Sequence, residues 1–196
     1  KDVGFYQAPI DDSISQLAAS QKLAAEILSE SKNSAHPLQD ILVLGIGGSA
    51  LGPLSLMSAL QDRCTTTPRF HFVDNPDPLE WKSTLQRMNP ATTLVVVITK
   101  SGSTFETLAQ MLLAIEWLGA ARVAKQIIAI TDPVKGDLRK WVNETKVRSL
   151  EIAPSLGGRF SIFSPVGLFI AALAGLNAEE FILGARQMRD YCEKTA

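Results

Sequence analysis

Short apolar runs recur along this chain at intervals of about 25 to 30 residues, and amphipathic stretches separate them. The runs are 41–44, 70–73, 94–98 and 126–130, and 147–152 follows as a fifth, weaker strand. Strands that are buried on both faces of a parallel sheet have continuous apolar runs of this kind. Because parallel neighbours need long crossovers, usually helices, the spacing predicts a doubly wound α/β fold. We expect a three-layer α/β/α sandwich around a five-stranded parallel sheet.

Apolar residues at helical spacing predict the helices that accompany these strands. The first should begin at Ile14, with Ser13 as its N-cap, and end near Glu30. Pro165 suits the first turn of a very apolar helix, and Asn177 should cap the last one. The remaining predicted helices end near residue 60 or cover 79–88, 108–118 and 136–143.

The hydrophobic content and the net charge of the chain limit the classes of partner that it can bind. Its 46% hydrophobic content is sufficient for a substantial core, and its net charge of -1 argues against nucleic acid or an anionic membrane as partner. No apolar run approaches the roughly 20 residues of a membrane span. Cys64 and Cys192 form no motif, which favours free thiols in a reducing compartment such as the cytoplasm. His36 and His71 lack metal-ligand spacing, so we expect no metal.

The loop after the first strand, 45–53, is rich in glycine. It fits the dinucleotide fingerprint G-x-G-x-x-[GA], and Asp74 follows at about the position of a ribose-binding acid. It does not fit the P-loop, because Pro53 and Leu54 replace the required Lys-Ser/Thr. Its glycine N–H groups suit a small anion. A glycine-rich turn in which Ser49 merely caps a helix is an equally good interpretation.

The loop after the third strand, 99–107, carries hydroxyls at positions 99, 101, 103 and 104 before an amphipathic helix. Ser103 and Glu106 have the spacing of a capping box, which needs no ligand. The box does not account for Thr99 and Ser101 in the same turn. Helix N-termini bind anions, and two anion-competent loops on neighbouring strands favour a compact ligand such as a phosphate monoester.

The loop after the fifth strand presents Arg159 directly after Gly157 and Gly158. A lone arginine is usually a solvated surface group. The two glycines make the backbone deformable, which would allow the guanidinium to enter the cleft and stabilise negative charge that develops on oxygen.

These three loops together resemble successive motifs of the phosphoglucose isomerase family. The motifs are 45–53, 99–107 and 157–161, in the family's order. The resemblance implies a flavodoxin-like sugar isomerase (SIS) domain over 40–196, preceded by a helical segment over 1–39. It also implies cofactor-free interconversion of glucose 6-phosphate and fructose 6-phosphate through a cis-enediol, in glycolysis and gluconeogenesis, by a homodimer.

The resemblance also assigns roles to individual residues. Arg159 would be catalytic, as the group that stabilises the enediolate. The sugar phosphate would be bound by Gly47, Gly48, Ser49, Thr99, Lys100 (through its backbone), Ser101 and Thr104.

One departure from the family affects the expected activity. The family has two SIS domains, and its catalytic glutamate, histidine and lysine lie in later motifs that are not found in this sequence. Glu106 should act as a cap, and Asp74 and Asp132 have the context of turn residues. We therefore expect an N-terminal half that binds the sugar phosphate but lacks the catalytic base. A non-catalytic phosphosugar-binding SIS module and a dinucleotide-binding domain remain as alternatives.

Overall fold

A computed structural model describes residues 4–195 as an α/β fold on a five-stranded parallel sheet. The strands are β1 (Asp40–Leu44), β2 (Arg69–Val73), β3 (Thr93–Thr99), β4 (Ile127–Thr131) and β5 (Arg148–Glu151). Their order is β2-β1-β3-β4-β5, and every neighbouring pair is parallel. The predicted sheet is confirmed. The strand order reverses between β1 and β3, and sheets of this kind bind ligands beyond the carboxyl ends of the strands at such a point.

Helices connect and cover the strands. They are α1 (Gly4–Gln7), α2 (Asp12–Ser15), α3 (Leu17–Lys32), α4 (Gly48–Ala59), α5 (Pro78–Leu85), α6 (Phe105–Leu118), α7 (Ala120–Gln126), α8 (Asp137–Thr145), α9 (Pro165–Leu173) and α10 (Ala178–Thr195). The predicted cap of the last helix is confirmed, because Asn177 Oδ1 accepts the backbone N–H groups of Glu179 and Glu180 at 3.1 and 3.2 Å.

Alternate residues of each central strand enter opposite halves of the core, because side chains alternate across a sheet. On one face, Val96 and Ile98 pack in a cluster with Phe169 of α9. On the other face, Val95 and Val97 pack in a cluster that contains Met111 of α6. The expected three-layer sandwich is therefore confirmed, and the burial of β1, β3 and β4 on both faces explains their continuous apolar sequences.

The prediction of one helix from Ile14 to Glu30 with Ser13 as its N-cap is wrong. The chain forms α2, breaks at Gln16 in the left-handed conformation (φ 48°), and resumes as α3. Two neighbouring aspartates bond to the starts of the two helices. Asp11 caps α2 through the N–H of Ser13 at 2.9 Å, and Asp12 Oδ1 accepts the N–H of Leu17 at 2.8 Å.

Within residues 4–195, no helix is long and apolar enough to cross a membrane.

Candidate functional site

The loops that leave β1 and β3 lie side by side at the carboxyl edge of the sheet. Leu44 at the end of β1 pairs with Val97 of β3. Gly45 brings the two loops into contact, since a Cβ at this position would lie 2.9 Å from Ser49 Cβ and 3.1 Å from the carbonyl oxygen of Ile98. Ser49, in the first turn of α4, is thereby placed beside the end of β3.

Three of the predicted phosphate ligands form a compact set, which we call the hydroxyl cluster: Thr99, Ser101 and Thr104. The hydroxyl oxygens of Thr99 and Thr104 lie 2.8 Å apart. Ser101 Oγ lies 3.4 Å from the first and 3.3 Å from the second. Thr99 is buried, whereas Ser101 is exposed, so the cluster runs from the end of β3 to solvent. Three adjacent hydroxyls can donate three hydrogen bonds to one anionic group.

The helix that follows the hydroxyl cluster begins at Thr104 as its N-cap, and Thr104 makes no side-chain capping hydrogen bond. The first N–H groups of a helix have no intrahelical acceptor, and the helix dipole favours negative charge at this end. The fourteen-residue α6 therefore adds backbone donors and a positive potential beside the three hydroxyls.

The predicted capping box of Ser103 and Glu106 is wrong. Because α6 begins one residue later than the box requires, Ser103 lies outside the helix and Glu106 is not at N3. The hydroxyl of Ser103 instead donates to Asp137 Oδ2 at 3.1 Å, and it accepts the N–H of Asp137 at 3.3 Å. Ser103 is thereby engaged by the start of α8.

The side chain of Lys100 extends toward the loop after β5, where its ammonium group donates to the carbonyl of Pro154 at 3.3 Å. Nearby, Asp132 Oδ1 accepts the N–H groups of Val134 and Lys135, each at 2.8 Å, and these bonds are typical of an Asx turn. Burial raises the pKa of Asp132, but these hydrogen bonds and the charges of Lys135 and Lys100 outweigh it, and the pKa lies below its ordinary value. Asp132 is therefore an ionised turn residue.

The two glycines before α4 have different structural roles. Gly47 has φ 58°, a conformation that favours glycine, and a Cβ at this position would meet no atom within 4 Å. Gly48 lies against the turn 158–160, and a Cβ there would overlap the carbonyl oxygen of Gly158. The absent side chain of Gly48 thus allows two backbones to meet.

This contact places Arg159 beside the start of α4. A Cβ at Gly48 would lie 2.9 Å from the Cα of Arg159. The side chain of Arg159 is exposed, and within residues 4–195 its guanidinium pairs with no carboxylate. The next residue, Phe160, stacks on Phe5 with ring centroids 4.8 Å apart. The guanidinium is therefore available to a negatively charged ligand.

Sequence reasoning missed the residues that support the hydroxyl cluster from β4 and α8. Gly102, inside the 99–104 loop, lies against Gly136 and over Thr131, since a Cβ at Gly102 would lie 2.9 Å from Gly136 Cα and 3.1 Å from Thr131 Oγ1. Thr131 pairs with Thr99 across β3 and β4, and its buried hydroxyl lacks a hydrogen-bond partner among the described residues. The only local signal in the sequence was Gly136, which directly precedes α8.

A groove of about 660 Å³ opens at the opposite, amino edge of the strands. In its lining, Arg148 pairs with Glu30 at 3.1 Å and donates to the backbone carbonyl of Lys125 at 2.8 Å. Because these groups already have partners, we place the candidate site at the carboxyl edge. No group of three or more His, Cys, Asp or Glu side chains in the described part of the chain is arranged to hold a metal ion.

Comparison with known proteins identifies relatives of the whole described chain. The glucose-6-phosphate isomerase of Carboxydothermus hydrogenoformans is 39% identical over 204 residues, an alignment that covers 98% of this chain and 42% of that protein. This chain therefore spans less than half the length of that relative.

Solved structures agree in fold. A hypothetical protein from Thermus thermophilus superposes with a TM-score of 0.81 at 32% identity, over 96% of this chain and 43% of that one. A glucose-6-phosphate isomerase from Chlamydia trachomatis superposes with a TM-score of 0.73 at 27% identity, over 93% of this chain and 36% of that one.

A family model described as phosphoglucose isomerase matches residues 13–196, which is most of the sequence. The match includes all three loops from which the site is built. The chain belongs to the phosphoglucose isomerase family.

Proposed function

We propose that this chain forms the phosphosugar-binding part of an enzyme that interconverts glucose 6-phosphate and fructose 6-phosphate. The observation that carries the proposal is the hydroxyl cluster, in which Thr99 and Thr104 oxygens lie 2.8 Å apart at the start of α6. Family membership supports the hexose phosphate as substrate.

The phosphate binds at the hydroxyl cluster in this proposal. Thr99, Ser101 and Thr104 donate through their hydroxyls, and the backbone N–H groups at the start of α6 add donors. The start of α4 contributes Gly47, Gly48 and Ser49 from the neighbouring loop. Lys100, which lies between Thr99 and Ser101, contributes its backbone. A fixed array of donors binds an anion more tightly than flexible groups, because little order is lost on binding.

Arg159 acts at the other end of the sugar. Isomerisation through a cis-enediol develops negative charge on an oxygen, and a planar guanidinium stabilises such charge. The guanidinium is exposed and pairs with no carboxylate of residues 4–195, and it lies on a turn that touches the start of α4, which supports this role.

We infer that the group that moves the proton lies in a part of the family's proteins with which this chain does not align. Of the acidic residues near the loops, Asp132 is held by backbone N–H groups, and Asp137 by Ser103 and Lys140. Glu106 does not cap α6, but it is exposed in the first turn of that helix, beside the proposed phosphate rather than at the end of the sugar where Arg159 acts. This chain spans 42% of its Carboxydothermus relative. We propose that 1–39 and 40–196 form a helical segment and one SIS domain, that a second SIS domain supplies the base, and that the whole protein is a homodimer.

The same proposal places the protein in the cytoplasm, where free thiols such as Cys64 and Cys192 persist. The net charge of -1 supports a small-molecule substrate rather than nucleic acid or a membrane surface as partner.

Two measurements separate this proposal from its alternatives. Calorimetric titration should show saturable binding of fructose 6-phosphate, competition by inorganic phosphate, and no heat with NAD. Binding of NAD alone would identify a dinucleotide-binding domain instead. A coupled isomerase assay should show no appreciable turnover by this chain. Turnover would contradict the inference that a second SIS domain supplies the base. Restoration of turnover by the remaining domain of a relative would exclude a purely non-catalytic module.

A further inference from the structure

The loop that carries the hydroxyl cluster is fastened to the start of α8. Ser103 Oγ donates to Asp137 Oδ2 at 3.1 Å and accepts the N–H of Asp137 at 3.3 Å. The N–H of Leu138 donates to the carbonyl of Gly102 at 2.8 Å. Three hydrogen bonds thus join the two segments immediately beside the residues that we assign to phosphate.

The two backbones also meet without intervening side chains. A Cβ at Gly136, where φ is 93°, would overlap the carbonyl oxygen of Ser101. Only glycine adopts this conformation readily and leaves this space. The close approach of Gly102 and Gly136 brings the carboxylate of Asp137 within reach of Ser103.

The Asp137 carboxylate has a second partner that faces solvent. Its Oδ1 accepts from Lys140 Nζ at 3.0 Å, while Oδ2 accepts from Ser103. Both contacts lower the pKa of Asp137, that from Lys140 the more. The carboxylate is therefore ionised at neutral pH, and the ammonium group of Lys140 offsets its charge near the proposed phosphate.

We propose that Asp137 is a positioning residue of the phosphate site, which fixes the 99–104 loop by holding the Ser103 hydroxyl. This role rests on the proposed function. It also divides the four hydroxyls of the loop: Ser103 is committed to Asp137, and Thr99, Ser101 and Thr104 remain for the phosphate. Fixing the loop before the ligand arrives reduces the order that must be lost on binding.

The test is the affinity of the chain for fructose 6-phosphate in a set of matched variants. Asp137→Ala should weaken binding about tenfold, since the loop must then be ordered by the ligand. Asp137→Asn keeps an oxygen that accepts from Ser103 and should bind within about twofold of the unchanged chain. Glu144→Ala removes an exposed carboxylate from the far end of α8 and serves as the control, with affinity also within about twofold.

A double variant tests whether the two residues act together. Because Ser103 and the Asp137 carboxylate share one contact, the loss of affinity in the Ser103→Ala, Asp137→Ala pair should be smaller than the sum of the two single losses. Additive losses would contradict the proposal. So would unchanged affinity in Asp137→Ala, or a loss in Asp137→Asn as large as that in Asp137→Ala.

Amide hydrogen exchange provides a readout that does not need the ligand. Exchange in residues 99–104 should accelerate in Asp137→Ala and remain slow in Asp137→Asn. Unchanged exchange in Asp137→Ala would overturn the positioning role. If the unchanged chain fails to bind fructose 6-phosphate, the proposed function fails, and the exchange rates still decide whether Asp137 fixes the loop.

Discussion

The hydroxyl oxygens of Thr99 and Thr104 lie 2.8 Å apart, one at the end of β3 and the other at the N-cap of α6. The strand therefore fixes one hydroxyl and the helix start fixes the other. The segment from Thr99 to Thr104 forms a turn whose geometry depends on both elements, and this turn is the structural basis of the proposed anion site.

We expect Thr104→Val to weaken binding of fructose 6-phosphate by about 1–3 kcal/mol, because it removes one phosphate-binding hydroxyl and the shorter of the two hydroxyl contacts of Thr99. Calorimetric titration measures the change. Thr145→Val is the matched control, since that hydroxyl bonds only to the carbonyl of Trp141 at the far end of α8. Equal affinities of the Thr104 variant and the control would remove Thr104 from the phosphate site.

Gly48→Ala should destabilise the fold by about 1–3 kcal/mol, the usual range for overpacking. The added methyl overlaps the backbone of Gly158, so the turn that carries Arg159 must move away from α4. Urea denaturation measures the loss. Gly184→Ala, in α10, is the control, because its new methyl meets no atom within 4 Å. It should stabilise the helix by about 0.5–1 kcal/mol. A neutral result for Gly48→Ala would show that the contact is loose.

Gln110→Met should stabilise the fold by about 1 kcal/mol, because an apolar side chain of similar size removes a desolvation penalty. The side chain of Gln110 is fully buried on α6, and both of its amide atoms lack hydrogen-bond partners within the described residues. Gln126→Met gives the contrast, since its amide donates to the carbonyl of Pro90 at 2.7 Å. The free energy of unfolding of that variant should be lower by about 1–2 kcal/mol. Urea denaturation measures both changes, and destabilisation by Gln110→Met would point to a partner for the amide.

The fold should weaken in acid partly through Asp132. Its pKa is lower in the folded chain than the ordinary value of 3.8, so the unfolded chain binds the proton more tightly. The stabilisation is fully present above the ordinary pKa and is lost as the pH falls through the folded value. The stability difference between the unchanged chain and Asp132→Asn should therefore shrink in acid. A difference that stays constant from about pH 7 to about pH 2 would contradict this.

The layered fold was predictable because its signal is local. Each central strand is buried on both faces, so each apolar run predicts a strand without knowledge of the rest of the chain. The signals that set helix ends are less local, because they can depend on residues that are distant in the sequence. Ser103 and Glu106 have the spacing of a capping box, but Ser103 finds a better-placed partner in Asp137, 34 residues later. Helix α7 was missed because Gly119, with φ 77°, ends α6 and the chain then returns directly to helix.

In the candidate site, too, some features have a local signal in the sequence and others depend on residues that are distant in the chain. The hydroxyls of Thr99, Ser101 and Thr104 were predicted as one set because they lie within one turn. Gly48 was predicted to bind the phosphate, and the structure shows that its missing side chain makes room for Gly158. Both requirements favour glycine, and a single sequence does not distinguish them.

The most direct test of the account is a crystal structure of this chain with fructose 6-phosphate. We expect phosphate oxygens at about 2.5–3.0 Å from the hydroxyl oxygens of Thr99, Ser101 and Thr104, with Ser103 still bonded to Asp137. A phosphate group bound elsewhere, such as in the groove beside Glu30 and Arg148, would contradict the central claim that the start of α6 is the phosphate site.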